Sequence, residues 1–116
     1  MDRKKELKEM YKQLKTDMGI FIIQSKSTNK YYLDTSQNLK GKMNRDRFQL
    51  EAGSHKNQEL QKEWKQYGSD NFEIKVLENL KYDKDETKTD YSEELEIMKT
   101  IWEEKLLNQN IMPYKQ

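Results

Sequence analysis

The longest unbroken apolar run in this chain is four residues, Ile20-Phe21-Ile22-Ile23. A run that short and rich in β-branched residues has the character of a buried strand. A bilayer span needs roughly 20 apolar residues, so no membrane partner is expected. Only 33% of the 116 residues are hydrophobic and 37% are charged, with a mean hydropathy of −1.27. Those values lean towards disorder. Seven Tyr, three Phe and two Trp against a single Pro oppose that reading and favour a small, thinly cored folded domain. The absence of Cys excludes a disulfide scaffold and Cys-ligated zinc. Met1-Asp2-Arg3-Lys4-Lys5 leads into a charged stretch and not into an apolar leader. A soluble, cytoplasmic protein is the expectation.

Periodicity supplies the elements. Leu7, Met10, Tyr11 and Leu14 share one face of a helix over residues 3–15. Gly19 breaks that pattern before the apolar run, Ser25–Asn29 reads as a polar turn, and Tyr31-Tyr32-Leu33 as a second strand, giving a hairpin. A helix follows with Leu39, Met43 and Leu50 on one face, Ser36 as its N-cap and Ala52-Gly53-Ser54 at its end. Another spans residues 57–66, with Leu60 and Trp64 inward and Gly68 as its stop. Phe72, Ile74 and Val76 alternate with Glu73 and Lys75 as in a half-buried strand. Lys81–Asp90 reads as a charged loop, and Asp90 or Ser92 as the cap of a last helix carrying Leu95, Met98, Trp102 and Leu106. The expected fold class is α/β: a small three-stranded, mainly antiparallel sheet flanked by helices, with an extra N-terminal helix. The implied organisation is an amphipathic helix over residues 1–17, a domain over 18–108 and a tail over 109–116.

Charge is unevenly divided. Residues 1–50 carry 12 Lys/Arg against 6 Asp/Glu, and residues 51–116 carry 10 against 15. A basic first half suits phosphates, and a solvated, salt-bridged surface accounts for it equally. Within it, Lys40, Lys42, Arg45 and Arg47 form the candidate nucleic-acid surface on the middle helix. Tyr31 and Tyr32 read as strand core, Trp64 and Trp102 as helix core. His55, the only His, has no neighbouring ligand in the sequence and reads as a loop residue.

Gly19-Ile20-Phe21, followed by Lys30-Tyr31-Tyr32-Leu33-Asp34-Thr35-Ser36, resembles the paired signature of the GIY-YIG nuclease superfamily. Asn38-Leu39-Lys40, Ser54-His55-Lys56-Asn57, Leu60–Trp64 with Tyr67-Gly68, and Asn71-Phe72 extend the resemblance in order. The set is similar to small stand-alone bacterial members related to the N-terminal nuclease domain of the nucleotide-repair excinuclease. It runs from Gly19 to Leu106.

The resemblance implies phosphodiester hydrolysis with a divalent metal held by a Glu of the late helix. A Tyr or metal-bound water serves the nucleophile, and an Arg of the middle helix steadies the phosphate. This chain departs at four such positions. The first signature Tyr is Phe21, which has no hydroxyl, whereas the second is kept as Tyr32. The second signature Gly is Asp34, which brings negative charge where phosphate would approach. The Arg falls at Lys42, without the bidentate fork, and Arg45 is the substitute one turn on. Asp46 stands where a His often follows. The metal-binding Glu falls at Lys99, three residues before Trp102, and an ammonium repels a cation. Glu96 and Glu103, on the same helical face, are either displaced ligands or partners of Lys99.

These departures predict a domain with impaired or lost nuclease activity and no cofactor, binding DNA weakly through the middle helix. Two other readings stay open. One is an active endonuclease using Tyr32, Lys42 or Arg45, and Glu96 or Glu103 with Mg or Mn. The other is an interaction module meeting a protein partner or forming a homodimer, with the contact on the N-terminal helix.

Overall fold

The computed structural model describes residues 15–115, so the helix expected at residues 3–15 lies almost wholly outside the described residues. Strand β1 (Met18–Ser25) is the centre of a three-stranded sheet, between β2 (Tyr31–Ser36) and β3 (Phe72–Leu80), with both pairings antiparallel. That position is what its apolar run demands, because side chains on both faces of β1 are covered. Phe21 and Ile23 face one core with Tyr32 and Phe72, and Ile20 and Ile22 face the other with Tyr31 and Leu33.

Helices α1 (Leu39–Ala52) and α2 (Gln58–Tyr67) cover the first face through Leu39, Leu50, Leu60 and Trp64, whose indole stacks on Phe72. Helix α3 (Ser92–Asn108) covers the second with Met98 and Leu106. Trp102 is only partly buried, and its Nε1 donates to Glu78 of β3 at 2.9 Å. Val76 faces the same side as Phe21 but is 41% exposed, because the cover thins beyond Met43.

Three boundaries differ from the sequence reading. Ser36 does not cap α1; its hydroxyl accepts the Asn38 N–H, and Asn38 caps the helix by accepting from the Gly41 N–H at 3.1 Å. Tyr91 occupies the cap position of α3, with Asp90 accepting from both the backbone and the hydroxyl of Ser92. Residues 109–115 are not a separate tail. Tyr31 N–H donates to Met112 O and Tyr114 N–H to Tyr31 O, which lays this segment along the free edge of β2. Tyr114 is then buried in the first core. An edge strand left open invites pairing with another chain, and here the chain closes it itself.

Gly19 begins the signature for a steric reason. Its φ is +156°, and a Cβ built there would overlap the carbonyl oxygen of Glu78 on β3. Gly19→Ala is therefore expected to cost about 3 kcal/mol through forced backbone displacement. A urea unfolding curve reads this as a lowered midpoint with an unchanged slope.

Candidate functional site

Tyr32 and Asp34 lie two apart on β2, so both project towards α1 and α2. The Tyr32 hydroxyl donates to Asp34 Oδ2 at 3.3 Å, and Asp34 Oδ1 accepts the Thr35 N–H. Lys42, one turn into α1, reaches back to Asp34 at 3.4 Å and to Asp46 Oδ1 at 2.7 Å. Asp46 is fully buried and is approached on its other side by His55 Nε2 at 3.5 Å. His55 Nδ1 accepts the Asn57 N–H at 3.0 Å, which leaves the neutral ring with its proton on Nε2, facing Asp46. The ring meets Tyr32 edge-on, centroids 5.2 Å apart. Tyr32, Asp34, Lys42, Asp46 and His55 thus form one continuous polar chain under the surface.

The chain of contacts sets proton affinities. Burial, and then the negative charges of Asp34 and Asp46, push the Tyr32 hydroxyl far above the ordinary tyrosine range. It remains a protonated donor at neutral pH. Burial alone would raise the Asp46 carboxyl, but hydrogen bonds from His55 and Lys42 and the Lys42 charge outweigh it and hold the group below its usual value.

Beside this network opens a cavity of about 280 Å³, lined by Tyr32, Leu33, Asp34, Lys56, Asn57 and Lys99. Lys56 comes from the loop before α2 and Lys99 from the middle of α3. The loop is fixed by Gln61, which accepts from the His55 N–H and donates to Leu50 O, and by Asn57, which caps α2 at 3.0 Å from the Leu60 N–H. Neither Lys56 nor Lys99 has an ion-pair partner among the described residues. Glu96 and Glu103 are therefore not salt-bridge partners of Lys99. A larger cavity of about 650 Å³ adjoins and shares Tyr32, Leu33, Asn57 and Lys99.

No protein-family model and no curated protein matches the sequence. Two solved structures match in three dimensions. A mutant of the catalytic domain of intron endonuclease I-TevI superposes with a TM-score of 0.67 at 24% identity, covering 86% of this chain and 93% of that one. The catalytic domain of homing endonuclease I-TevI gives a TM-score of 0.66 at 22% identity, covering 85% and 99%. The fold is that of a GIY-YIG catalytic domain.

On this GIY-YIG fold, the positions that the sequence resemblance singled out are distributed unevenly. Tyr32, Asp34, Lys42 and Lys99 converge on the small cavity and the network beneath it. Phe21 is wholly buried in the first core, paired across the strands with Asp34. Arg45 is exposed beside the Lys42 face of α1. Lys40 and Arg47 are exposed on a stripe of their own, since at roughly 100° per residue they nearly eclipse each other and lie well away from Lys42. The basic helix is thus two surfaces. Glu103 lines only the larger cavity, and Glu96 lines neither.

GIY-YIG nucleases are generally metal-dependent, and the donors here do not fit a divalent cation. Asp34, the one carboxylate of the small cavity, already accepts from Tyr32 and pairs with Lys42. Two further ammonium groups line the same space. Among the described residues no three carboxylate or imidazole groups converge elsewhere. A hard cation needs several free oxygen ligands.

The sequence reading missed Lys56 and Asn57 as cavity residues, left Asp46 without a role, and placed His55 in an open loop. Asp46 stands four residues after Lys42, the spacing of a helical ion pair, and that signal was present. Nothing near His55 in the sequence announces its burial; the enclosing groups come from β2 and α1.

Proposed function

We propose that this domain grips a nucleic-acid phosphate backbone without hydrolysing it. The observation that carries the reading is Lys99, whose ammonium lines the cavity beside Tyr32 and Asp34 together with Lys56. Two ammonium groups without ion-pair partners at one concave site favour an anion, and phosphate is the anion that a cleft of this fold class suggests.

The same residues argue against hydrolysis. Attack on a phosphodiester needs a group that takes a proton from the nucleophile. The Tyr32 hydroxyl is held protonated and already donates to Asp34. His55 uses Nδ1 to accept from the backbone and turns Nε2–H inward, with its side chain wholly buried. Phe21 has no hydroxyl. Among the described residues, no group at the small cavity is free to act as the base.

Fluorescence anisotropy with labelled DNA in EDTA across a salt series tests this reading. The expected result is affinity falling with salt at a log–log slope of about −2 or steeper, since Lys56 and Lys99 each displace a counterion. Anisotropy should then hold when manganese is added. Absent or salt-insensitive binding overturns the phosphate contact, and a falling signal with manganese overturns the loss of hydrolysis.

A further inference from the structure

The two adjoining cavities differ in character, and the difference orients a ligand. The small one carries Lys56 and Lys99 with only the already paired Asp34 opposing them. The large one is walled by the aromatic side chains of Tyr31 and Tyr114 and by Leu33, Met112 and Pro113, with Glu59 and Glu103 on its lining. Glu59 is neutralised by Lys30 at 3.0 Å, whereas Glu103 has no ion pair among the described residues. A phosphate is drawn to the lysine end and kept from the Glu103 end by charge. The space beyond it is apolar, and its volume of about 650 Å³ falls in the range of small-molecule pockets.

We propose that the larger cavity receives a nucleobase whose phosphate sits on Lys56 and Lys99, so that the site selects an unpaired nucleotide of a single strand. This rests on the phosphate reading above and specifies its ligand. A base inside a duplex is paired and stacked and must leave the helix to enter such a pocket, at a cost of a few kcal/mol; an unpaired base has no such cost. The wall itself is a product of the fold. Met112, Pro113 and Tyr114 stand there because residues 112–114 run along β2, with two backbone hydrogen bonds to Tyr31. Met112 is 57% exposed, so it forms an accessible lip and not part of the core.

Competition separates base from backbone. A labelled thymidine oligonucleotide is bound to the full chain in EDTA. It is then displaced by an unlabelled copy, by a fully abasic strand of the same length, and by a blunt duplex. The thymidine strand should compete better than the abasic strand by about fivefold or more, the worth of one stacked base, and better than the duplex. Met112→Ala should narrow the gap to the abasic strand, and Lys99→Gln should weaken both strands alike. Equal competition by thymidine and abasic strands overturns the base cavity and leaves the phosphate reading standing. A preference that neither variant changes overturns the placement. Failure of every strand to bind overturns both readings.

Discussion

Asp46→Ala is expected to lower the stability of the domain by about 3 kcal/mol at neutral pH, the lower end of the cost of breaking a buried ion pair. The carboxylate is fully buried and accepts from Lys42 at 2.7 Å, with His55 Nε2 at 3.5 Å. Removing it leaves the His55 N–H buried without an acceptor, which is the costly half of the loss. Lys42 loses less, because it is 21% exposed and keeps Asp34 at 3.4 Å. The loss should depend on pH with a definite sign. Folding holds the Asp46 carboxyl below the ordinary aspartate value, through hydrogen bonds from His55 and Lys42 that outweigh burial. Its ionised form therefore contributes fully above about pH 4, and the contribution fades as pH falls through the depressed folded value. Urea unfolding of the wild type and Asp46→Asn between neutral pH and pH 3 reads this directly. The difference between them should shrink on acidification. A constant difference would show that the carboxylate is not held ionised by folding.

That network also marks where the sequence was legible and where it was not. The position of β1 could be read because burial on both faces requires an unbroken apolar run, and only residues 20–23 supply one. The stops at Gly53 and Gly68 could be read because both take positive φ, which glycine adopts without strain. The cap of α1 was misread because Ser36 and Asn38 are both good cap residues, and only the chain's exit from β2 decides between them. The segment over residues 109–115 looked like a tail because its partners, Tyr31 and the first core, lie some eighty residues earlier. Pro113 suggested irregularity, yet proline is tolerated at a sheet edge. At the site, Tyr32, Asp34, Lys42 and Lys99 were named from the resemblance. Their consequence was not legible, because the Tyr32–Asp34 bond, the reach of Lys42 and the closing of His55 over Asp46 are long-range geometry.

Lys99→Gln is expected to weaken nucleic-acid binding by about tenfold or more, the worth of one hydrogen bond to a charged group, and to reduce the salt slope by about 1. The side chain keeps its polarity and much of its length, so packing against Tyr32 and Asn57 changes little and the effect reports the charge. Lys99→Glu should cost more, because a carboxylate there repels the phosphate that the ammonium attracts. Lys56→Gln should act in the same direction and add to Lys99→Gln if each contacts its own phosphate oxygen. The paired substitution of Lys40 and Arg47 by Gln is the discriminating control. Those residues occupy the other surface of α1, away from the cavity. If the cavity is the site, their loss changes affinity little while Lys99→Gln changes it strongly. The reverse ranking would move the phosphate contact to the outer stripe of α1 and take the cavity out of the binding surface.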